Sequence, residues 1–131
     1  MARLGLLVTA LATSLGIGTA LAAAEWVAYS PKRFATAQAE ERKILVDVAA
    51  DWCPTCRAQE PILDELRADG RLDDVVFIRV DFDVHRDFPR EHRIPRQSTI
   101  IVFDGDTEVH RSIAETDRDR LRGFAFGAVG R

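Results

Sequence analysis

The sequence has 131 residues, of which 47% are hydrophobic and 30% are charged, and its net charge is −3. A chain of this length suits one compact domain and is short for two. The acidic balance, with basic residues interleaved among Asp and Glu along the chain, argues against a nucleic-acid-binding protein.

The first 22 residues differ from the rest of the chain. Met1-Ala2-Arg3 carries one basic side chain, and residues 4–24 are uncharged and rich in Leu, Val, Ile and Ala. Ala20-Leu21-Ala22 matches the A-x-A pattern of a signal-peptidase site. We therefore expect residues 1–22 to be a signal peptide and residues 23–131 to form one domain in the periplasm. The alternative is an uncleaved membrane anchor, because the uncharged stretch is about long enough to span a bilayer.

The first elements after this segment are a short edge strand at Glu25–Tyr29 and a helix at Pro31–Glu41, with Pro at a helix-start position. Ile44–Ala50 is a nearly continuous apolar run, as expected for a central strand covered on both faces. Asp47 interrupts this run. A buried carboxylate takes a proton or finds a partner, and Arg79 on the neighbouring predicted strand is the candidate partner.

The remaining elements continue the alternation of strands and helices. After the cysteines, Ile62, Leu63 and Leu66 have helical spacing, Pro61 is expected to kink that helix, and Asp69-Gly70 to end it. Further strands are predicted at Val75–Phe82, Thr99–Phe103 and Glu108–Ile113, with a short helix at Asp87–His92 and a turn at Asp104-Gly105-Asp106. Thr116–Asp119 resembles a capping box that opens a last helix. The order βαβαβαββα indicates an α/β fold with a central mixed sheet flanked by helices.

Both cysteines of the chain lie in the stretch Trp52-Cys53-Pro54-Thr55-Cys56. A structural disulfide between two cysteines this close would contribute only roughly 2 kcal/mol to the stability of the fold, before ring strain is subtracted. A structural zinc site needs four ligands, and the histidines show no second paired motif, so no metal site is predicted. A redox pair fits best, because a helix N-terminus stabilises a thiolate at Cys53 and Cys56 lies one turn further on. Asp47, on the strand that leads into this turn, is placed to accept the proton of Cys56.

The stretch ILVDVAADWCPTCRAQEPILDEL resembles the active-site strand, WCxxC motif and kinked helix of the thioredoxin family. The resemblance covers about residues 25–127 and implies a thiol–disulfide oxidoreductase with no cofactor beyond a redox-active Cys53–Cys56 disulfide. It also implies that Cys53 is the exposed nucleophile, Cys56 the resolving thiol and Asp47 the buried acid, with Arg79 near it. Trp52, Pro54, Thr55, Gln97, Ser98 and Thr99 are expected to contact substrate.

The chain departs from the family pattern where thioredoxins carry a cis-proline opposite the active site. An alignment without gaps places Ser98 there, whereas the alternative uses Pro95 and shifts the preceding helix by three residues. A cis bond before a residue other than proline costs about 3 kcal/mol, so we expect either a strained cis peptide or a rearranged trans loop. The missing ring is expected to open space beside Cys53, which leaves a copper-binding or other metal-binding module as an alternative function.

Features near the cysteines bear on whether the protein reduces or oxidises its substrates. Pro54 and Thr55 carry no charge, which favours a reductant, whereas Arg96 near the substrate loop would stabilise a thiolate or an acidic partner. Export and the AADWC stretch resemble the periplasmic reducing domain of DsbD and small thioredoxin-like proteins of Gram-negative bacteria. The expected protein is a monomer that exchanges with protein disulfides or dithiols and takes electrons from a membrane carrier. A dithiol oxidant and a binding module with incidental cysteines are the remaining alternatives.

Overall fold

The centre of the fold is the apolar strand β2, Lys43–Ala49, whose residues from Ile44 to Val48 are all buried. The computed structural model describes residues 23–130, so the predicted signal peptide lies outside the described residues. Around β2 lies a five-stranded sheet with the strand order β1-β3-β2-β4-β5. Strands β1 and β3 run parallel to β2, β4 pairs antiparallel with β2, and β5 pairs antiparallel with β4, so the predicted mixed sheet is confirmed.

The elements follow the predicted order. The strands are β1 Val27–Ala28, β2 Lys43–Ala49, β3 Val76–Asp81, β4 Thr99–Asp104 and β5 Thr107–Ile113. The helices are α1 Pro31–Ala39, α2 Pro54–Arg67, α3 Asp87–Glu91 and α4 Arg118–Val129, with a short 3₁₀ helix at Gly70–Leu72 that was not predicted. Strand β1 is shorter than the predicted Glu25–Tyr29. Ser30 caps α1, where its side chain accepts a hydrogen bond from the Arg33 backbone.

The start of the last helix also differs between the prediction and the structure. Helix α4 is capped by Asp117, which accepts a hydrogen bond from the Arg120 N–H, so the predicted cap at Thr116 is wrong by one residue. The Glu115 carboxylate accepts from the Thr116 and Asp117 backbones and holds this turn before the cap. The hairpin turn is confirmed, and Gly105 adopts a φ of +58° there, a conformation that glycine tolerates without strain.

Two apolar layers cover the sheet. One face packs against α2 and α4 through buried residues that include Leu45, Leu63, Leu66, Phe77 and Leu121. The other packs against α1 and α3 through residues that include Phe34, Val46, Ile78, Phe88 and Ile101. His92, the C-cap residue of α3, packs against Phe34, Phe88 and Phe103. Within residues 23–130, none of the helices has the length and apolar character needed to cross a membrane.

Candidate active site

The cysteine pair lies where β2 gives way to α2. Cys53 is the N-cap residue of α2, as the sequence predicts, and its sulfur accepts a hydrogen bond from the Cys56 backbone N–H at 3.1 Å. Proline at position 54 begins the helix without leaving a free N–H. Both cysteines are free thiols. This placement aims the positive end of the helix dipole at the Cys53 sulfur.

The two thiols differ in acidity. Burial raises the pKa of the Cys53 thiol, but hydrogen bonds from the Cys56 side chain, the Ser98 hydroxyl, the Cys56 backbone and the Gln97 side chain outweigh it, so the pKa lies below its ordinary value. Burial and the hydrogen bond to Cys53 raise the pKa of Cys56. Cys53 is therefore the sulfur that ionises first, and Cys56 keeps its proton until another group removes it.

Cys53 is not exposed as the resemblance implies. It retains 1% of its accessible surface and Cys56 retains 8%. Both sulfurs belong to a small cluster with Ala50, packed against Phe82. The Ser98 hydroxyl, 3.1 Å from the Cys53 sulfur, and the Gln97 side chain, which hydrogen-bonds to that sulfur, form part of this cover. A substrate sulfur can reach Cys53 only after part of this cover moves.

Asp47 is paired with Arg79, as expected. The Asp47 carboxylate is 2% exposed, and its Oδ2 accepts from the guanidinium Nε at 3.0 Å, with Nη2 at 2.9 Å. Burial raises the pKa of Asp47, Arg79 opposes this effect, and the nearby Glu60 carboxylate adds to it, so the net shift is upward. A cavity of about 270 Å³ is lined by both Asp47 and Cys56, together with Glu60 and Arg79. The raised carboxyl pKa and the shared cavity suit proton exchange with Cys56.

Ser98, rather than Pro95, occupies the position opposite the cysteines. Its hydroxyl oxygen lies 3.1 Å from the Cys53 sulfur and 3.4 Å from the Cys56 sulfur, whereas Pro95 is exposed. No cis peptide bond occurs in residues 23–130, so the loop is trans, and Ser98 adopts a φ of +64°. Its N–H donates to the Val48 carbonyl of β2 at 2.8 Å. The expected open space beside Cys53 is absent because the hydroxyl fills it.

The other predicted substrate contacts divide into exposed and buried groups. Trp52 is 56% exposed, and its indole N–H donates to the Asp83 carboxylate at 2.7 Å. Pro54 is exposed, Thr55 and Gln97 are half-buried, and Thr99 is buried with its hydroxyl donating to the Arg96 carbonyl. Thr99 is therefore turned to the protein rather than to a substrate. The groups that lower the pKa of Cys53 are hydrogen-bond donors, and the Arg96 guanidinium is not among them.

Residues that sequence reasoning missed surround the site. Gln59 on α2 is fully buried and donates to the Ser98 and Glu115 carbonyls. Glu60 lies 3.3 Å from Arg79, and the Trp26 ring stacks on the Arg79 guanidinium at 4.4 Å. Gln59 precedes Ile62 and Leu63 by three and four residues, so helical spacing places it on the apolar face of α2. A polar residue at that position was a signal of a buried role.

Residues 23–130 contain no cluster of three or more His, Cys, Asp or Glu side chains that could hold a metal.

The fold and the cysteine pair together define a class: a small α/β domain that presents a dithiol at a helix N-terminus opposite a β-strand loop. The thioredoxin family model matches residues 25–125. Trxlp from Edwardsiella tarda EIB202 has a crystal structure that superposes with a TM-score of 0.74 at 39% identity, covering 76% of this chain and 97% of that one.

Curated sequences give the same result. Thioredoxin H2-1 of Oryza sativa is 35% identical over 78 residues, 60% of this chain and 54% of the rice protein. Thioredoxin of Chlamydia trachomatis is 32% identical over 78 residues, 74% of its length. The match thus spans about half the length of the rice protein. The chain belongs to the thioredoxin family, whose members are thiol–disulfide oxidoreductases, so the predicted family is confirmed.

Proposed function

We propose that this protein is an exported thiol–disulfide oxidoreductase that reduces disulfides of other exported proteins in the periplasm. The observation that carries the proposal is the opposite shift of the two thiol pKa values at one helix N-terminus. A lowered pKa supplies the attacking thiolate at Cys53, and a raised pKa keeps Cys56 protonated until the first exchange is complete. The predicted signal peptide supports the location.

The reaction proceeds in two exchanges. The Cys53 thiolate attacks one sulfur of a substrate disulfide, which forms a mixed disulfide and releases the other substrate sulfur as a thiolate. Cys56 then loses its proton to the Asp47 carboxylate through the cavity that both residues line. The Cys56 thiolate attacks the Cys53 sulfur, which forms the Cys53–Cys56 disulfide and releases the second substrate thiolate. Two electrons pass from the protein dithiol to the substrate.

The cycle must be closed by an external dithiol, because the protein ends as a disulfide. A membrane-bound dithiol carrier is the donor that suits an exported reductant, as in the resemblance to the reducing domain of DsbD. The exposed Trp52 ring beside Cys53 offers an apolar surface for docking of either the substrate or this donor. The proposed working form is a monomer.

The reaction is tested by trapping the mixed disulfide. Cys56→Ser should accumulate a covalent complex with a model protein disulfide, visible on non-reducing gels and reversed by reductant. Cys53→Ser is the matched control and should give no complex, since the remaining thiol is the less acidic of the two. Equal trapping by both variants, or by neither, would contradict the assignment. Mass spectrometry of the protein from a Gram-negative host tests export, with a mature chain beginning near Ala23 expected.

A dithiol oxidant is the second candidate, because one observation favours it. The hydroxyl of Ser98 and the side chain of Gln97 stabilise the Cys53 thiolate and hence the reduced protein. Stabilising the reduced form makes the disulfide more oxidising. These donors are neutral, whereas a cation against the sulfur would act more strongly. We therefore retain the reductant as the proposed function.

A further inference from the structure

Ser98, which contacts the cysteine pair, and Ala114, which hydrogen-bonds to Ser98, adopt an unfavourable backbone conformation. Ser98 has a φ of +64° and Ala114 a φ of +56°, and the Ala114 N–H donates to the Ser98 carbonyl at 2.9 Å. Residues other than glycine rarely occupy this left-handed region, and they remain there only when the surrounding structure holds them. Because the Ser98 hydroxyl contacts both sulfurs, whatever holds these two residues also fixes the dithiol environment.

Gln59 links these strained residues to α2. Its side-chain Nε2 donates to the Glu115 carbonyl at 2.9 Å and to the Ser98 carbonyl at 3.4 Å. One acceptor belongs to Ser98, and the other belongs to the residue immediately after Ala114. The residue is 0% exposed, so water does not compete for these hydrogen bonds. One amide group therefore connects the active-site helix to both segments.

The orientation of the Gln59 amide is determined by its surroundings. A flipped amide would place its oxygen against two carbonyl oxygens, which have no hydrogen to donate. In the observed orientation, Oε1 is buried and has no hydrogen-bond partner. An unsatisfied buried acceptor destabilises a protein, and an apolar residue would suit the core face that Gln59 shares with Ile62 and Leu63. Stability alone therefore does not account for a glutamine here.

We propose that Gln59 is a positioning residue for the dithiol, holding Ser98 in its left-handed trans conformation so that the hydroxyl faces Cys53 and Cys56. This inference rests on the proposed function of the pair. Gln59 does not itself touch a sulfur in any hydrogen bond of the described residues, so it acts through Ser98. The same link fixes the loop at Glu115, where β5 leads into α4. In thioredoxins a rigid proline occupies the position of Ser98. Here the Gln59 side chain on α2 fixes the backbone at that position.

The test compares the thiolate reactivity of Cys53 in the reduced proteins. In Gln59→Leu, the Ser98 loop is free to relax, and the rate of alkylation at a pH below the Cys53 pKa, divided by the rate at a pH where the thiol is fully ionised, should fall about threefold. This ratio removes any change in access to the buried sulfur. In a Ser98→Ala background the hydroxyl is already absent, so Gln59→Leu should cause no further fall. Ile62→Val is the matched control on the same helix: it should lower the free energy of unfolding without changing the alkylation rate.

Each outcome bears on the inference. An unchanged ratio of the two alkylation rates in folded Gln59→Leu, or an equal fall of the ratio in the presence and absence of the Ser98 hydroxyl, would overturn it. If Gln59→Leu does not fold, Gln59→Met retains an unbranched side chain and serves in the same cycle with the same expectation. Alkylation reports on the thiol without any substrate turnover. If no mixed disulfide is trapped, the proposed function is rejected, but the alkylation of Cys53 in the Gln59 variants can still be interpreted.

Discussion

Replacing Ser98 by alanine removes a hydroxyl that lies 3.1 Å from the Cys53 sulfur and 3.4 Å from the Cys56 sulfur. A hydroxyl carries one hydrogen, so it donates to one sulfur at a time, and the shorter contact identifies Cys53 as the acceptor when that residue is a thiolate. The substitution should therefore raise the pKa of Cys53. The hydroxyl takes no part in the backbone hydrogen bonds of Ser98 to Val48 and Ala114, so these should remain in the variant.

The magnitude follows from the difference between charged and neutral hydrogen bonds. A hydrogen bond to a charged group contributes roughly 1.5–3 kcal/mol and a neutral one roughly 0.5–1.5, so the thiolate loses about 1 kcal/mol more than the thiol does. Since about 1.4 kcal/mol corresponds to a factor of ten, the thiolate fraction of Cys53 below its pKa should fall about fivefold.

The assay is the rate of alkylation of the reduced protein as a function of pH, with the ultraviolet absorbance of the thiolate as an independent measure. Cys56→Ser can serve as the background so that one sulfur is followed. An alkylation profile of Ser98→Ala that superposes on that of the parent would refute the claim that the hydroxyl stabilises the thiolate.

Ser98→Gly is the matched control. It also lacks the hydroxyl, so its alkylation profile should equal that of Ser98→Ala. Glycine tolerates the φ of +64°, however, and should make the protein more stable than the alanine variant by about 1 kcal/mol in denaturant unfolding. Equal stability of the two variants would show that the left-handed conformation carries no strain.

Three further predictions concern neighbouring residues. Ser98→Pro should destabilise the protein by at least about 1–3 kcal/mol in denaturant unfolding. Proline removes the buried N–H that donates to Val48, and it cannot adopt a positive φ. Unchanged stability would contradict the trans, left-handed conformation of Ser98. Gln97→Ala should increase the alkylation rate of Cys53 at a pH where the thiol is fully ionised, since it removes a side chain that hydrogen-bonds to the buried sulfur. A slower rate would contradict this. The pKa of Asp47 is raised in the folded chain, so the folded chain holds this proton more tightly than the unfolded chain. Between pH about 4 and the raised pKa, the free energy of unfolding should therefore fall with rising pH, relative to that of Asp47→Asn. Parallel pH profiles of the two proteins would argue against a raised pKa.

The sequence was sufficient to predict the features that depend on local pattern. The apolar run around Asp47 specified a buried central strand, and a buried carboxylate in turn required a partner, which Arg79 provides. The helical spacing of Ile62, Leu63 and Leu66 predicted a helix after the cysteines with Cys53 at its N-terminus, and Cys53 is the N-cap residue of α2. The gap-free alignment identified Ser98 as the residue opposite the cysteines.

The features that were missed depend on contacts between distant segments. Cys53 is buried against Phe82 and against Ser98, which is 45 residues away in the sequence. The trans loop has backbone partners at Val48 on β2 and at Ala114 just after β5, which periodicity does not reveal. Gln59 was visible as a polar residue on an apolar helix face, but its acceptors lie in two separate loops.

The reduction potential of the Cys53–Cys56 couple tests the central claim most directly. The protein lacking residues 1–22 would be equilibrated in thiol–disulfide buffers and its redox state read from alkylation, with Trp52 fluorescence as a second signal. A reversible two-electron couple closer to the thioredoxin value of about −270 mV than to the DsbA value of about −120 mV is the result we predict. A potential near that of DsbA would contradict the assignment as a reductant, and the absence of a reversible couple would contradict the redox function itself.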